Sequence, residues 1–275
     1  GISPMIGLCT GSIPMVGGHG TAGAFGPVLE EAGVVGANAV AIASATFGLV
    51  AGCVIGGPLA YRRIHSLNLK STETATGSDE VKVDKNEVTG AIDSRRFLDS
   101  ALYLAIAIGA GTIVSLFLNK LMTFPSYIGA MVVAAIIRNV VDATHKDMPM
   151  EEISTIGSFS LSLFLGLAMM GLKLWQLAEL ALPMIVMLAA QTVLMAIFAY
   201  FVVFNLLGKN YDAAVMTSGF CGFGMGATPN AMANMQAITA KYGPAPTAYF
   251  VVPLVGSLFI DFFNALIITT FMNFL

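Results

Sequence analysis

Charge is scarce in this chain. Asp, Glu, Lys and Arg make up 11% of its 275 residues, against about 25% in an ordinary soluble domain. The net charge of −3 leaves no basic footprint for nucleic acid. Histidines and cysteines number three each, and there is one tryptophan. The spacing of Cys9, Cys53 and Cys221 fits no zinc pattern; in apolar surroundings they read as small buried residues. No secretory leader precedes the first apolar run. The sequence opens at Gly1 already in membrane-type composition, which reads as the C-terminal part of something longer.

What is abundant is apolar: 56% of residues are hydrophobic and mean hydropathy is +0.81. A soluble core cannot absorb that much apolar surface, so the fold class expected is an all-α polytopic membrane protein. Runs of about 20 apolar residues mark spans at roughly 38–61, 97–119, 124–142, 153–172, 182–207 and 247–275. Gly48, Gly52 and Gly56 form a small-residue stripe in the first of these, which lets another helix approach closely. One polar stretch, residues 62–96, has no apolar period and reads as a flexible linker.

Two stretches do not fit a span. Ser3–Pro27 contains Gly11, Gly17, Gly18 and Gly20; Ala213–Ala237 contains Gly219, Gly222, Gly224, Gly226 and Pro229. Each interior Gly costs a helix about 1 kcal/mol and Pro about 3, so both read as helix–turn–helix hairpins dipping into the membrane. Gly11 and Gly219 are 208 residues apart, as are Gly48 and Gly256. Paired, glycine-broken segments in corresponding positions of two halves point to a transporter binding site.

The basic residues of the linker place it in the cytoplasm and, counting spans, the C-terminus outside. The two broken segments then enter from opposite faces, the mark of an inverted repeat. The expected organisation is residues 1–61 as the end of an N-terminal repeat (hairpin and fifth helix), 62–96 as linker, and 97–275 as a C-terminal repeat with its hairpin at about 213–237. With five transmembrane helices per half, the first four are missing from this chain.

Breaking a helix frees N–H groups that attract an anion and carbonyls that coordinate a hard cation. Candidate substrate contacts are Ser12, Gly17, Gly18, His19, Gly20 and Thr21 in the first hairpin. In the second they are Gly222, Gly224, Gly226, Thr228 and Asn230. Asp261 and Asn264 share one helix face, and Asn234 shares a face with Asn230; these three are candidate sodium ligands. Gly18–Gly23 matches GxGxxG literally, but the βαβ unit that motif requires is absent from the pattern. The residues alone reach a cation-coupled secondary transporter for a small anion. A channel built on glycine-rich loops is the alternative. An intramembrane enzyme would have to pair Ser12 with His19, which no motif supports.

The chain resembles the bacterial sodium/glutamate symporter family. The residues that carry the likeness are Gly17–Thr21, Ala45–Val50, Gly56–Pro58, Leu161–Leu165, Met170–Trp175, Lys209–Val215, Cys221–Pro229, Ala233–Thr239, Val252–Val255 and Phe259–Asn264. The likeness spans the chain except the linker. It implies ten spans in two inverted halves and an elevator-like alternating-access homodimer in the bacterial inner membrane. It also implies uptake of L-glutamate driven by Na⁺ as coupling ion, with no cofactor and no enzymatic activity.

Overall fold

The computed structural model describes residues 3–71, 94–120, 127–170 and 174–274. The middle of the expected linker, Lys173 and the side chain of Trp175 lie outside what is described. The described residues form helices and no strand: α1 (Pro4–Thr10), α2 (Ser12–Glu31), α3 (Ala37–Ser66), α4 (Ser94–Leu118), α5 (Tyr127–Ala143), α6 (Met150–Met170), α7 (Leu174–Phe198), α8 (Phe204–Leu206), α9 (Tyr211–Tyr242), α10 (Pro246–Val255) and α11 (Asp261–Phe274). Single π turns at Ala199–Val203 and Gly256–Ile260 join α7 to α8 and α10 to α11. By length and composition, Ala37–Ser66, Ser94–Leu118 and Leu180–Leu206 can each cross a membrane. The protein is therefore all-helical in its described parts and built as membrane proteins are.

The chain divides into two compact units, one holding α1–α3 and α7–α10 with most of α11, the other α4–α6. In the first, α3 runs past Tyr61 to Ser66 rather than yielding to a linker. Arg63 and His65 in its last turn suit the negative end of the helix dipole. The Arg63 guanidinium lies 3.7 Å from the centre of the Tyr200 ring and 4.6 Å from that of Phe204. It also donates to the Tyr200 carbonyl, inside the first π turn. Ala60, Ile64, Phe204, Val215, Met235 and Ile238 form the core beside it.

The final span, expected as one helix over 247–275, is interrupted by the second π turn. There Gly256 admits the Phe223 ring of α9; a Cβ at that position would sit 2.5 Å from the ring.

In the second unit α4 and α5 cross at Gly111 and Gly129. A Cβ on Gly111 would lie 2.3 Å from the Ala130 Cα, and the Gly129 amide donates to Ser115 Oγ at 3.2 Å. Close crossing at small residues is how helices pack where water offers no hydrophobic drive. Arg96 ties the helix ends together through Asp147 (2.8 Å) and Glu152 (2.9 Å).

Candidate functional site

Both glycine-rich segments are broken in the middle. α2 leaves helical geometry at Gly18, with φ 61 and ψ −157, a conformation glycine adopts at little cost. α9 leaves it at Gly226 (ψ 18) and at Ala227, where φ is 66 in a residue that carries a Cβ. A left-handed residue of that kind costs about 1–2 kcal/mol and persists only where its surroundings hold it.

The arms of α9 fold back on each other. Asn234 Nδ2 donates to Ser218 O at 3.0 Å, across 16 residues that a straight helix would spread over about 24 Å. Pro229 falls in the first turn of the returning arm, where its missing N–H is tolerated. The two breaks touch: a Cβ on Gly18 would lie 3.4 Å from that of Ala227.

The expected glycine stripe on α3 receives the α9 hairpin. A Cβ on Gly48 would sit 2.2 Å from Met225 O; one on Gly52, 2.9 Å from Asn230 Nδ2; one on Gly56, 2.4 Å from Asn234 Nδ2. Asn230 donates to Leu49 O (3.2 Å) and Gly222 O (3.3 Å), while its Oδ1 accepts from Cys53 Sγ at 2.8 Å. Asn234 donates to Gly52 O and Ser218 O, both at 3.0 Å. Each asparagine thus staples the two hairpin arms and α3 at one point. Cys53 is exposed and hydrogen-bonded, unlike the buried residue the composition suggested; Cys9 and Cys221 are buried.

Beside the first break, the Thr46 hydroxyl of α3 donates to Ile42 O (3.1 Å), which leaves it to accept from His19 Nε2–H at 2.9 Å. That fixes the Nε2–H tautomer in the neutral ring and leaves Nδ1 as an open acceptor. Ser12 Oγ donates to Asn264 Oδ1, and Asn264 Nδ2 donates to Ser12 O at 3.4 Å. Ser12 is therefore engaged with α11, not with His19. The Thr21 side chain packs over Gly17, and Gly20 is open. Gly224 faces the Met195 methyl.

The candidate residues do not form one cluster. Gly222, Gly226 and Asn230 meet at the second break, which Gly18 touches through Ala227. Ser12 and Asn264 form their own pair, and Asn234 lies one turn beyond Asn230. No hydrogen bond among the described residues joins Asp261, Asn264 and Asn234, and Asp261 is exposed. No cluster of three His, Cys, Asp or Glu is found among the described residues.

Chemically, each break starts a new helix. The first N–H groups after Gly18 and after Ala227 have no acceptor within their own helix and present the positive end of its dipole. Those N–H groups belong to His19, Gly20 and Thr21, and to Thr228 and Asn230. Thr21 and Thr228 are half-buried there. The arrangement suits a small anion held by backbone.

Sequence reasoning missed Cys53, and it missed Thr46 and Ala227 although they lie inside Ala45–Val50 and Cys221–Pro229, because their side-chain chemistry does not set them apart there. It also missed Gln191, although a polar residue inside an apolar span is a signal.

Residues 1–244 match the family described as sodium/glutamate symporter. The sodium/glutamate symporter of Escherichia coli (strain K12) is 43% identical over 280 residues, covering 99% of this chain and 69% of that protein. That of Haemophilus influenzae (strain ATCC 51907 / DSM 11121 / KW20 / Rd) is 38% identical over 273 residues, covering 96% of this chain and 67% of that protein. No solved structure matches.

Proposed function

We propose, because the chain belongs to the sodium/glutamate symporter family, that it takes part in sodium-coupled uptake of L-glutamate across the bacterial inner membrane. The family is one of transporters, not enzymes. The mode is alternating access of elevator type by a homodimer. The polar stretch over 62–96, whose first residues continue α3 to Ser66 and whose last begin α4 at Ser94, is cytoplasmic and the C-terminus outside. Residues 1–61 end one repeat and 97–275 form the other.

One observation carries the mechanistic part: the breaks at Gly18 and Gly226–Ala227 lie against each other. They also obey the sequence offset, since 208 residues separate Gly18 from Gly226. The same offset relates Gly56 to Asn264. Gly56 packs at Ser218 O in the first arm of the α9 hairpin, and Asn264 bonds Ser12, early in α2. Each half's last helix thus reaches the other half's broken segment, which supports two inverted repeats whose re-entrant hairpins meet at the bilayer midplane.

In this reading the N–H groups of His19–Thr21, Thr228 and Asn230 hold the substrate carboxylates, with the Thr21 and Thr228 hydroxyls beside them. Gly17, Gly18, Gly20, Gly222, Gly224 and Gly226 let backbone approach. Carbonyls at the ends of the entering arms, with Asp261, Asn264 and Asn234 as side-chain candidates, hold Na⁺. Sodium offsets the repulsion of two carboxylates and orders the tips.

Glutamate accumulation by the complete protein in proteoliposomes tests the reading. Uphill uptake only with an inward sodium gradient is expected; equilibration without accumulation in tight vesicles would mean a channel. His19 gives a second expectation. Thr46→Val removes the acceptor that orients the imidazole and should raise the glutamate KM about 2- to 10-fold, the worth of one hydrogen bond. Thr46→Ser should restore it, with sodium dependence unchanged in both.

A further inference from the structure

Gln191 lies near the middle of the apolar stretch Leu180–Leu206. A polar side chain at that depth is expected to bond a neighbouring helix. Its neighbour Thr192 does satisfy itself, donating to Leu188 O at 2.8 Å. The half-buried Gln191 amide makes no hydrogen bond among the described residues.

It opens instead into a cavity of ≈ 400 Å³. The cavity is walled by both broken segments: Gly11 and Ser12 on one side, Gly224 and Met225 on the other. The Nε2 of Gln191 is 3.8 Å from where a Gly11 Cβ would stand, so the amide sits at the start of α2, close to backbone. Further along, Phe198 and Phe220 line it, their ring centres 6.1 Å apart, and its rim at Leu194 and Phe198 is exposed. No charged side chain lines it. The volume is in the range of small-molecule sites, which are largely apolar with a few placed polar groups.

We propose that Gln191 is a substrate-contacting residue whose Nε2–H groups donate to a carboxylate of the transported amino acid in this cavity. The inference rests on the transport reading above. The amide is neutral, so it orients the carboxylate without cancelling its charge, and leaves that to the co-transported cation. Its free Oε1 can accept at the same time from the substrate ammonium. Ser12, already donating to Asn264, is left as an acceptor only.

The test is uptake kinetics of glutamate in proteoliposomes for the complete wild-type protein and for Gln191→Leu, Gln191→Glu and Thr192→Val. Thermal unfolding is followed in parallel. Gln191→Leu should raise the glutamate KM about 10-fold or more, as loss of a hydrogen bond to a charged group does, with the unfolding temperature and sodium dependence kept. Gln191→Glu should lose uptake at neutral pH and regain part of it in acid, where the added carboxyl is protonated. Thr192→Val should match wild type.

An unchanged KM in Gln191→Leu would overturn the assignment, as would a loss confined to kcat with a lowered unfolding temperature, which marks a packing role. If wild-type protein itself shows no sodium-driven uptake, the transport reading falls first and this one with it. Should Gln191→Leu fail to fold, Gln191→Asn serves in its place: the shorter amide should raise KM, and an unchanged KM overturns the proposal.

Discussion

A Gly48→Ala variant should lose transport by at least about 100-fold. The added methyl would stand 2.2 Å from Met225 O, against the more than 3 Å that such atoms need. The clashing atom is backbone at the end of the entering arm of α9, immediately before the break at Gly226, so no rotamer can relieve it. The hairpin must shift by close to an ångström, and a displacement of that size at a reacting or binding centre costs about 100-fold. The packing penalty itself is about 1–3 kcal/mol, so the protein should still fold. Gly57→Ala is the control: it lies on the same helix, but nothing stands within 4 Å of its would-be Cβ. It should transport like wild type, or slightly more stably, since Ala is the better helix former. Uptake and thermal unfolding of the two variants side by side decide it. Equal activity would mean that the α3–α9 approach is not where the tip is positioned.

Asn234→Asp should be far more harmful than Asn234→Ala, though it is the smaller change. Asn234 is 5% exposed and gives its two N–H bonds to Gly52 O and Ser218 O. Both carbonyls belong to intact helical turns and already accept from their own backbones. Truncation to Ala therefore removes two bonds without stranding an acceptor, at about 1–2 kcal/mol. In sodium-free buffer, aspartate puts an anion against two carbonyl oxygens with no donor or cation to meet it, and an uncompensated buried charge costs about 3–5 kcal/mol. Thermal unfolding in detergent should rank wild type above Ala and Ala well above Asp. Because protonation relieves the anion, the Asp variant should recover stability as pH falls, whereas the Ala variant should not respond. An Asp variant as stable as Ala would mean that water or an ion reaches this position.

The breaks were legible in the sequence because glycines and a proline crowded into an apolar run cannot continue a helix at acceptable cost. Gly48, Gly52 and Gly56 were legible as a helix contact because their four-residue spacing lines one face. The contact's partner was not legible, since Asn230 and Asn234 share a face with no mark that the face meets α3. Composition put Cys53 among buried residues; its hydrogen bond to Asn230 depends on a helix crossing that only tertiary packing sets. Ala227 hides its left-handed backbone because the neighbouring Gly226 looks the better candidate. The π turns at 199–203 and 256–260 leave no period to read in five residues. Gln191 was visible as a polar residue in an apolar run, but its free amide and the cavity in front of it were not.

The glycine face of α3 also bears on synthesis. Leu49 and Asn230, which bond in the finished protein, are separated by 181 positions. Translation adds about 5–20 residues per second, so α3 waits on the order of ten seconds or more for the hairpin that fills it. During that interval its notched side is open to lipid or to whatever chaperone guards the insertion site. Closure of the transport core is thus a late, long-range event. Truncation before Ser218 removes every α9 residue that fills the notch and should leave the early helices inserted yet incompletely assembled, prey to membrane proteases.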